Sequence, residues 1–94
     1  MKNAHKLKAA LPKLIDFRFN KETHELDEVE VEVPAFINDE GTLVVRTEHN
    51  VITGDYYGEF NGGAPYIVPA LVEFAKAHGM MWEWVNPGSF ALYE

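Results

Sequence analysis

The sequence predicts an α+β domain: an antiparallel sheet of about five to six strands, with one main helix near residues 69–78 and a short N-terminal helix. Three observations predict it. Apolar and polar residues alternate in "KLIDFRFN" and "DEVEVEVP", the period of a half-buried strand. Between Pro69 and Gly79 the apolar residues fall instead at helical spacing. Turn formers in "NDEG", "NGGAP" and "NPG" separate the remaining apolar runs at short intervals.

The elements follow in order. In "KNAHKLKAALP", Ala4, Leu7, Ala10 and Leu11 make a thin apolar stripe, and Pro12 stops the helix. So short a helix is marginal alone in water and needs docking. Ile15, Phe17 and Phe19 then share one parity of a strand, with Asp16 and Arg18 on the other. "KETHE" is a polar turn. In the next strand Glu28, Glu30 and Glu32 alternate with Val29, Val31 and Val33. The simplest arrangement puts the valines in the core with Ile15, Phe17 and Phe19, and the carboxylates in water near Arg18. Charge on an outer strand also discourages edge-to-edge aggregation. Pro34, lacking an N–H, marks an edge, an end or a bulge.

A loop of Asp39-Glu40-Gly41 suits a hairpin with Gly41 left-handed, which sets Ile37 beside Leu43, Ala35 beside Val45 and Glu32 near Glu48. A fourth strand is expected through Tyr56, Tyr57 and Phe60, with a bulge or close backbone approach at Gly58. Pro69 fits the first helical position, Leu71, Phe74, Ala75 and His78 form the stripe, and Gly79 ends it. Pro87-Gly88 fits the centre of a type II turn in a closing hairpin. A tight register there puts Trp82 and Trp84 on one face with Ala91 and Tyr93.

Ninety-four residues form one domain, 1–94, with ordinary globular composition of 47% hydrophobic and 24% charged residues. No apolar run is long enough for a membrane span, and the start has no apolar signal-peptide core. Without cysteine there is no disulfide, thiolate metal site or thiol nucleophile, and the expected compartment is the cytoplasm. The net charge of −7 is unevenly spread. Residues 1–21 hold six cations against one acid, a net of +5, and residues 22–94 hold two against fourteen, a net of −12. Two readings follow: a solvated acidic surface with the basic end folded back on it, or an electronegative body that steers a basic protein partner toward it; so acidic a body also argues against direct nucleic-acid binding.

Chemistry-bearing motifs are few. Asp55 and Glu59, four apart in a strand, would lie roughly 13 Å apart, too far for a glycosidase pair. The four histidines lack metal-ligand spacing, and Ser89 sits in a hairpin rather than a nucleophile elbow. No cofactor, metal or catalytic residue is therefore assigned. The candidate binding residues are Glu28, Glu30 and Glu32 on the acidic strand, with Tyr56, Tyr57, Glu59, Phe60, Gly62, Gly63, Tyr66, Trp82 and Trp84 in the aromatic-glycine half.

From Asp55 to Tyr93 the chain resembles a set of small uncharacterised phage and prophage proteins. The shared pattern is Tyr56 to Phe60 ending a strand, Gly62-Gly63, Pro65-Tyr66-Ile67, a helix, then Trp82-Glu83-Trp84 and a closing strand. The likeness covers about the last forty residues and brings no activity with it. It implies an accessory or inhibitor protein that binds a host or phage component. The expected function is accordingly a non-enzymatic interaction module for a basic, nucleic-acid-binding protein. Two rival readings are a small-molecule binder or enzyme with its site at "YYGEFNGG", and a self-associating structural domain, for example a homodimer.

Overall fold

Local chemistry sets the turns that divide the chain. A computed structural model describes residues 3–47, 53–58, 63 and 65–94. Asn20 folds the first turn: its side-chain carbonyl accepts from the Glu22 and Thr23 backbone N–H groups, at 2.9 and 3.4 Å. Asn38 does the same for the second, accepting from Glu40 at 3.0 Å and Thr42 at 2.9 Å, and Gly41 is left-handed at φ 78° as expected. At the third, Asn86 accepts from the Gly88 N–H at 2.8 Å.

The described elements run α1 (Ala4–Ala9), β1 (Leu14–Asn20), β2 (Glu25–Val31), β3 (Ala35–Ile37), β4 (Leu43–Arg46), β5 (Gly54–Asp55), β6 (Tyr66–Ile67), α2 (Pro69–Ala77), β7 (Met81–Asn86) and β8 (Ser89–Tyr93). The fold is α+β with antiparallel strands, one main helix and a short N-terminal one. The eight described strands divide into three sheets, β1-β2, β3-β4-β8-β7 and β5-β6, rather than one sheet of five to six strands.

The core lies between the four-stranded sheet and the helices. Alternate residues of the central strands β4 and β8 bury Leu43, Val45, Phe90 and Leu92 completely. Helix α2 covers them with Leu71, Phe74 and Ala75 of the predicted stripe, whereas the fourth member, His78, is exposed at the C-cap with its ring 4.5 Å from Phe74, and α1 adds Leu7 with Leu11 just beyond it. Pro69 starts α2, and Gly79 at φ 66° leaves it. Pro34 precedes β3, an edge strand, and its carbonyl accepts from the Arg46 N–H at 2.9 Å. Ile37 pairs with Leu43 and Ala35 with Val45, the register the loop predicts. The Glu32–Glu48 neighbourhood lies outside the described residues.

Three expectations are corrected. First, β1 and β2 pair Ile15 with Glu30, Phe17 with Glu28 and Phe19 with Leu26, while Asp16 faces Val29 and Leu14 faces Val31. The four-residue turn 21–24 joins Asn20 to Glu25, and that even count sets the acids, not the valines, beside the phenylalanines. Second, β5 ends at Asp55. Tyr56 and Tyr57 occupy a turn closed by the Gly58 N–H on the Asp55 carbonyl at 3.2 Å, with Gly58 at φ 66°. A close backbone approach occurs at Gly54, where a Cβ would stand 2.7 Å from the Tyr66 carbonyl oxygen. Third, Trp82 faces Leu92 and Trp84 faces Phe90, because Val85 is an extra residue that shifts the register between Trp84 and Asn86. Both indoles thereby join the core instead of lying over Ala91 and Tyr93.

Candidate functional site

The β1-β2 hairpin stands apart from the other two sheets. Seven residues per strand make it about 23 Å long. Its projection lengthens the molecule to 47 × 30 × 24 Å, and the radius of gyration of 14.3 Å exceeds the value of about 12 Å for a compact chain of this length. Leu14 anchors the base of the hairpin and is buried. Past it, the strands pair only with each other among the described residues, and in β1 the Phe17 N–H donates to the Asp16 carboxylate at 2.9 Å.

One face of this hairpin carries Ile15, Phe17 and Phe19 along β1, and Glu30, Glu28 and Leu26 along β2, in directly opposed pairs. The four apolar residues are 48%, 57%, 59% and, for Leu26, 65% exposed. A two-stranded ribbon has two faces and no third layer, so nothing in the described fold covers this one. Together these side chains leave several hundred Å² of apolar surface in water, at the level where a monomer's largest patch is commonly functional. The edge of the His24 ring meets Phe19 with centroids 6.2 Å apart, extending the patch to the turn, where His24 is held left-handed at φ 57°.

Glu28, Glu30 and Glu32 are all exposed, as the alternation predicts. Glu28 and Glu30 belong to the apolar-acidic face, whereas Glu32 lies beyond the end of β2, where it lines a depression of about 210 Å³ with Lys8 and Val33. Among the described residues the ion pair is Lys76–Glu73, 3.9 Å apart within α2. Among the described residues none joins these three glutamates to the basic N-terminal residues.

The aromatic candidates assemble elsewhere. Trp82 and Trp84 each meet Phe90 edge-on at 5.1 Å, Tyr56 meets Trp84 at 5.3 Å, and Tyr57 meets Tyr56 at 5.5 Å. This ladder runs from the core to the surface. Trp82 is structural: its indole N–H donates to the Leu71 carbonyl at 2.7 Å and ties β7 to α2. Trp84 is half-buried, Tyr56 and Tyr57 are exposed, and Tyr66 is half-buried in β6 opposite the buried Asp55. Gly63 is exposed at φ 91°. Glu59, Phe60 and Gly62 lie outside the described residues. No hydrogen bond, ion pair or ring contact among the described residues links the hairpin glutamates to this ladder, so the two halves of the expected surface are separate.

A depression of about 250 Å³ lies on the four-stranded sheet, lined by Phe36, Arg46, Asn86, Gly88 and Ser89. Arg46 stacks 4.6 Å from the Phe36 ring centroid. The volume falls below the usual ~300–1,000 Å³ of a small-molecule site. Among the described residues no three His, Asp or Glu side chains gather to hold a metal ion, and no helix is long and apolar enough to cross a membrane.

Ile15, Phe17, Phe19 and Leu26 are binding candidates that alternation alone does not nominate, since an apolar stripe reads first as core. The signal that could find them is the even turn length, which sets that stripe beside glutamates rather than valines. Comparison of the chain with protein-family models, with curated proteins and with solved structures finds no match.

Proposed function

We propose that this chain is a non-enzymatic, cytoplasmic interaction module that presents the β1-β2 hairpin to a basic protein partner, in the manner of an accessory or inhibitor protein. The observation that carries the proposal is the uncovered face in which Ile15, Phe17, Phe19 and Leu26 alternate across the strands with Glu28 and Glu30. Apolar surface supplies affinity when covered. The carboxylates supply orientation and encounter rate, and they select against acidic partners. A phenyl ring beside a carboxylate also suits an Arg or Lys side chain, which can lie over the ring while its charge meets the acid. The −12 net charge of residues 22–94 draws such a partner in from a distance.

The test is affinity capture from the native host with the intact protein, a Phe17→Ser/Phe19→Ser variant and a Glu28→Lys/Glu30→Lys variant, followed by identification of what is retained. The expected result is a basic protein held by the parent chain, released by both variants and eluted by salt as screening shortens from about 8 Å at 0.15 M to about 3 Å at 1 M. Capture that survives both variants and high salt refutes the proposal.

A further inference from the structure

We infer that the hairpin takes its partner by strand addition: the open edge of β2 pairs with an extended segment whose residues alternate Lys or Arg with Val or Ile. This rests on the reading of the hairpin as a docking surface and specifies how the docking occurs.

The backbone supports it first. On one side β2 pairs with β1 along Glu25–Val31, and on the other no described strand pairs with it. Among the described residues nothing pairs with the row of backbone N–H and C=O groups on that side, which can therefore take an added strand, as a sheet edge does in β-augmentation. A helix laid on the hairpin would leave that row unused.

Side chains then specify the sequence of the incoming strand. Residues directly opposite across a strand pair sit about 5 Å apart on the same face. A strand beside β2 would therefore place one set of side chains next to Leu26, Glu28 and Glu30 and the other next to Glu25, Asp27, Val29 and Val31, so that acid and valine alternate along Glu28–Val31. There, cations match the first set and β-branched apolar residues the second. The cation beside Glu28 would also lie on the face that carries Phe17, which stands across from Glu28.

Charge decides between a foreign segment and a second copy of this chain. Antiparallel pairing of β2 with itself sets Glu28 opposite Glu28 or Glu30 in one parity, and opposite valine in the other. Like charges directly opposite are destabilising, and a carboxylate against valine gains nothing. The acids thus close this edge to its own copies while leaving it open to a basic strand.

The test uses the full chain with two synthetic peptides of equal composition: one alternates Lys and Val over seven residues, the other carries the same residues in two blocks. Binding is measured by titration calorimetry and amide hydrogen exchange at low salt. The expected result is at least tenfold tighter binding of the alternating peptide, with exchange slowed at alternate amides of residues 25–31 and unchanged in β4. Equal affinity for both peptides, without slowed exchange in β2, overturns strand addition while leaving a general basic-partner surface standing. Failure of both peptides to bind, together with capture of host proteins that ignores the hairpin variants, overturns strand addition and the docking surface together. An alternating peptide that slows exchange at the β7 edge instead of β2 also overturns it.

Discussion

Replacing Phe17 and Phe19 by serine separates a docking surface from a piece of the core. At 57% and 59% exposure, each ring leaves about 100 Å² in water, given the 150–250 Å² that an aromatic side chain can bury. Covering both is worth at most about 5 kcal/mol at ~25 cal/mol per Å². Incomplete contact and side-chain ordering bring the expected loss on mutation to about 2–3 kcal/mol, roughly 30- to 150-fold in affinity. Their contribution to folding is smaller. Each ring meets one cross-strand neighbour, Glu28 or Leu26, and such pairs contribute about 0.2–1 kcal/mol. Urea unfolding followed by Trp82 and Trp84 fluorescence should therefore move by less than about 2 kcal/mol, while affinity for the basic protein captured from the host drops by more than tenfold. Leu71→Ala supplies the contrast, since that side chain is fully buried and its truncation costs about 2–5 kcal/mol. If the double serine variant unfolds as readily as Leu71→Ala, the rings hold the fold together. If its affinity matches the parent's, they do not meet a partner.

Other perturbations read other parts of the structure. Gly54→Ala drives a methyl group to 2.7 Å from the Tyr66 carbonyl oxygen and 3.2 Å from Phe90 Cε1, and should destabilise by about 1–3 kcal/mol, seen as a fall of the melting temperature; an unchanged midpoint would show that β5 and β6 do not meet as described. Deletion of Val85, which is exposed, removes the extra residue while keeping Trp84 opposite Phe90 and Trp82 opposite Leu92, so the tryptophan emission should stay blue-shifted and the melting temperature nearly constant. A red shift on that deletion would mean the indoles had turned outward. Glu28→Lys/Glu30→Lys should leave stability within about 1 kcal/mol, because both side chains are solvated, yet abolish the salt dependence of binding to cationic peptides; a salt dependence equal to the parent's would place the attraction elsewhere.

Helix α2 was fully legible in the sequence because its start, stripe and stop are each local: Pro69, then Leu71, Phe74 and Ala75, then Gly79. The same holds for the turn at Asn38–Thr42, where one asparagine side chain and one left-handed glycine fix the register of β3 and β4. The strands of the first hairpin were equally plain, and so was the exposure of its glutamates. What the alternation leaves open is parity across a turn. One residue more or fewer exchanges the faces, and that decided both the Phe17–Glu28 pairing and the placement of Trp82 and Trp84. Nor does an apolar stripe say what will cover it. Ile15, Phe17 and Phe19 have the pattern of core residues, and only the assembled sheets show that α2 packs elsewhere.

A ribbon fastened at one end can change length without disturbing its base. Inserting two residues in each strand would extend the reach by about 7 Å and keep every side chain on its present face, whereas a single insertion would invert everything beyond it. The arm of this protein is therefore built to vary in length in steps of two while the body, with its own helix and central strands, stays the same.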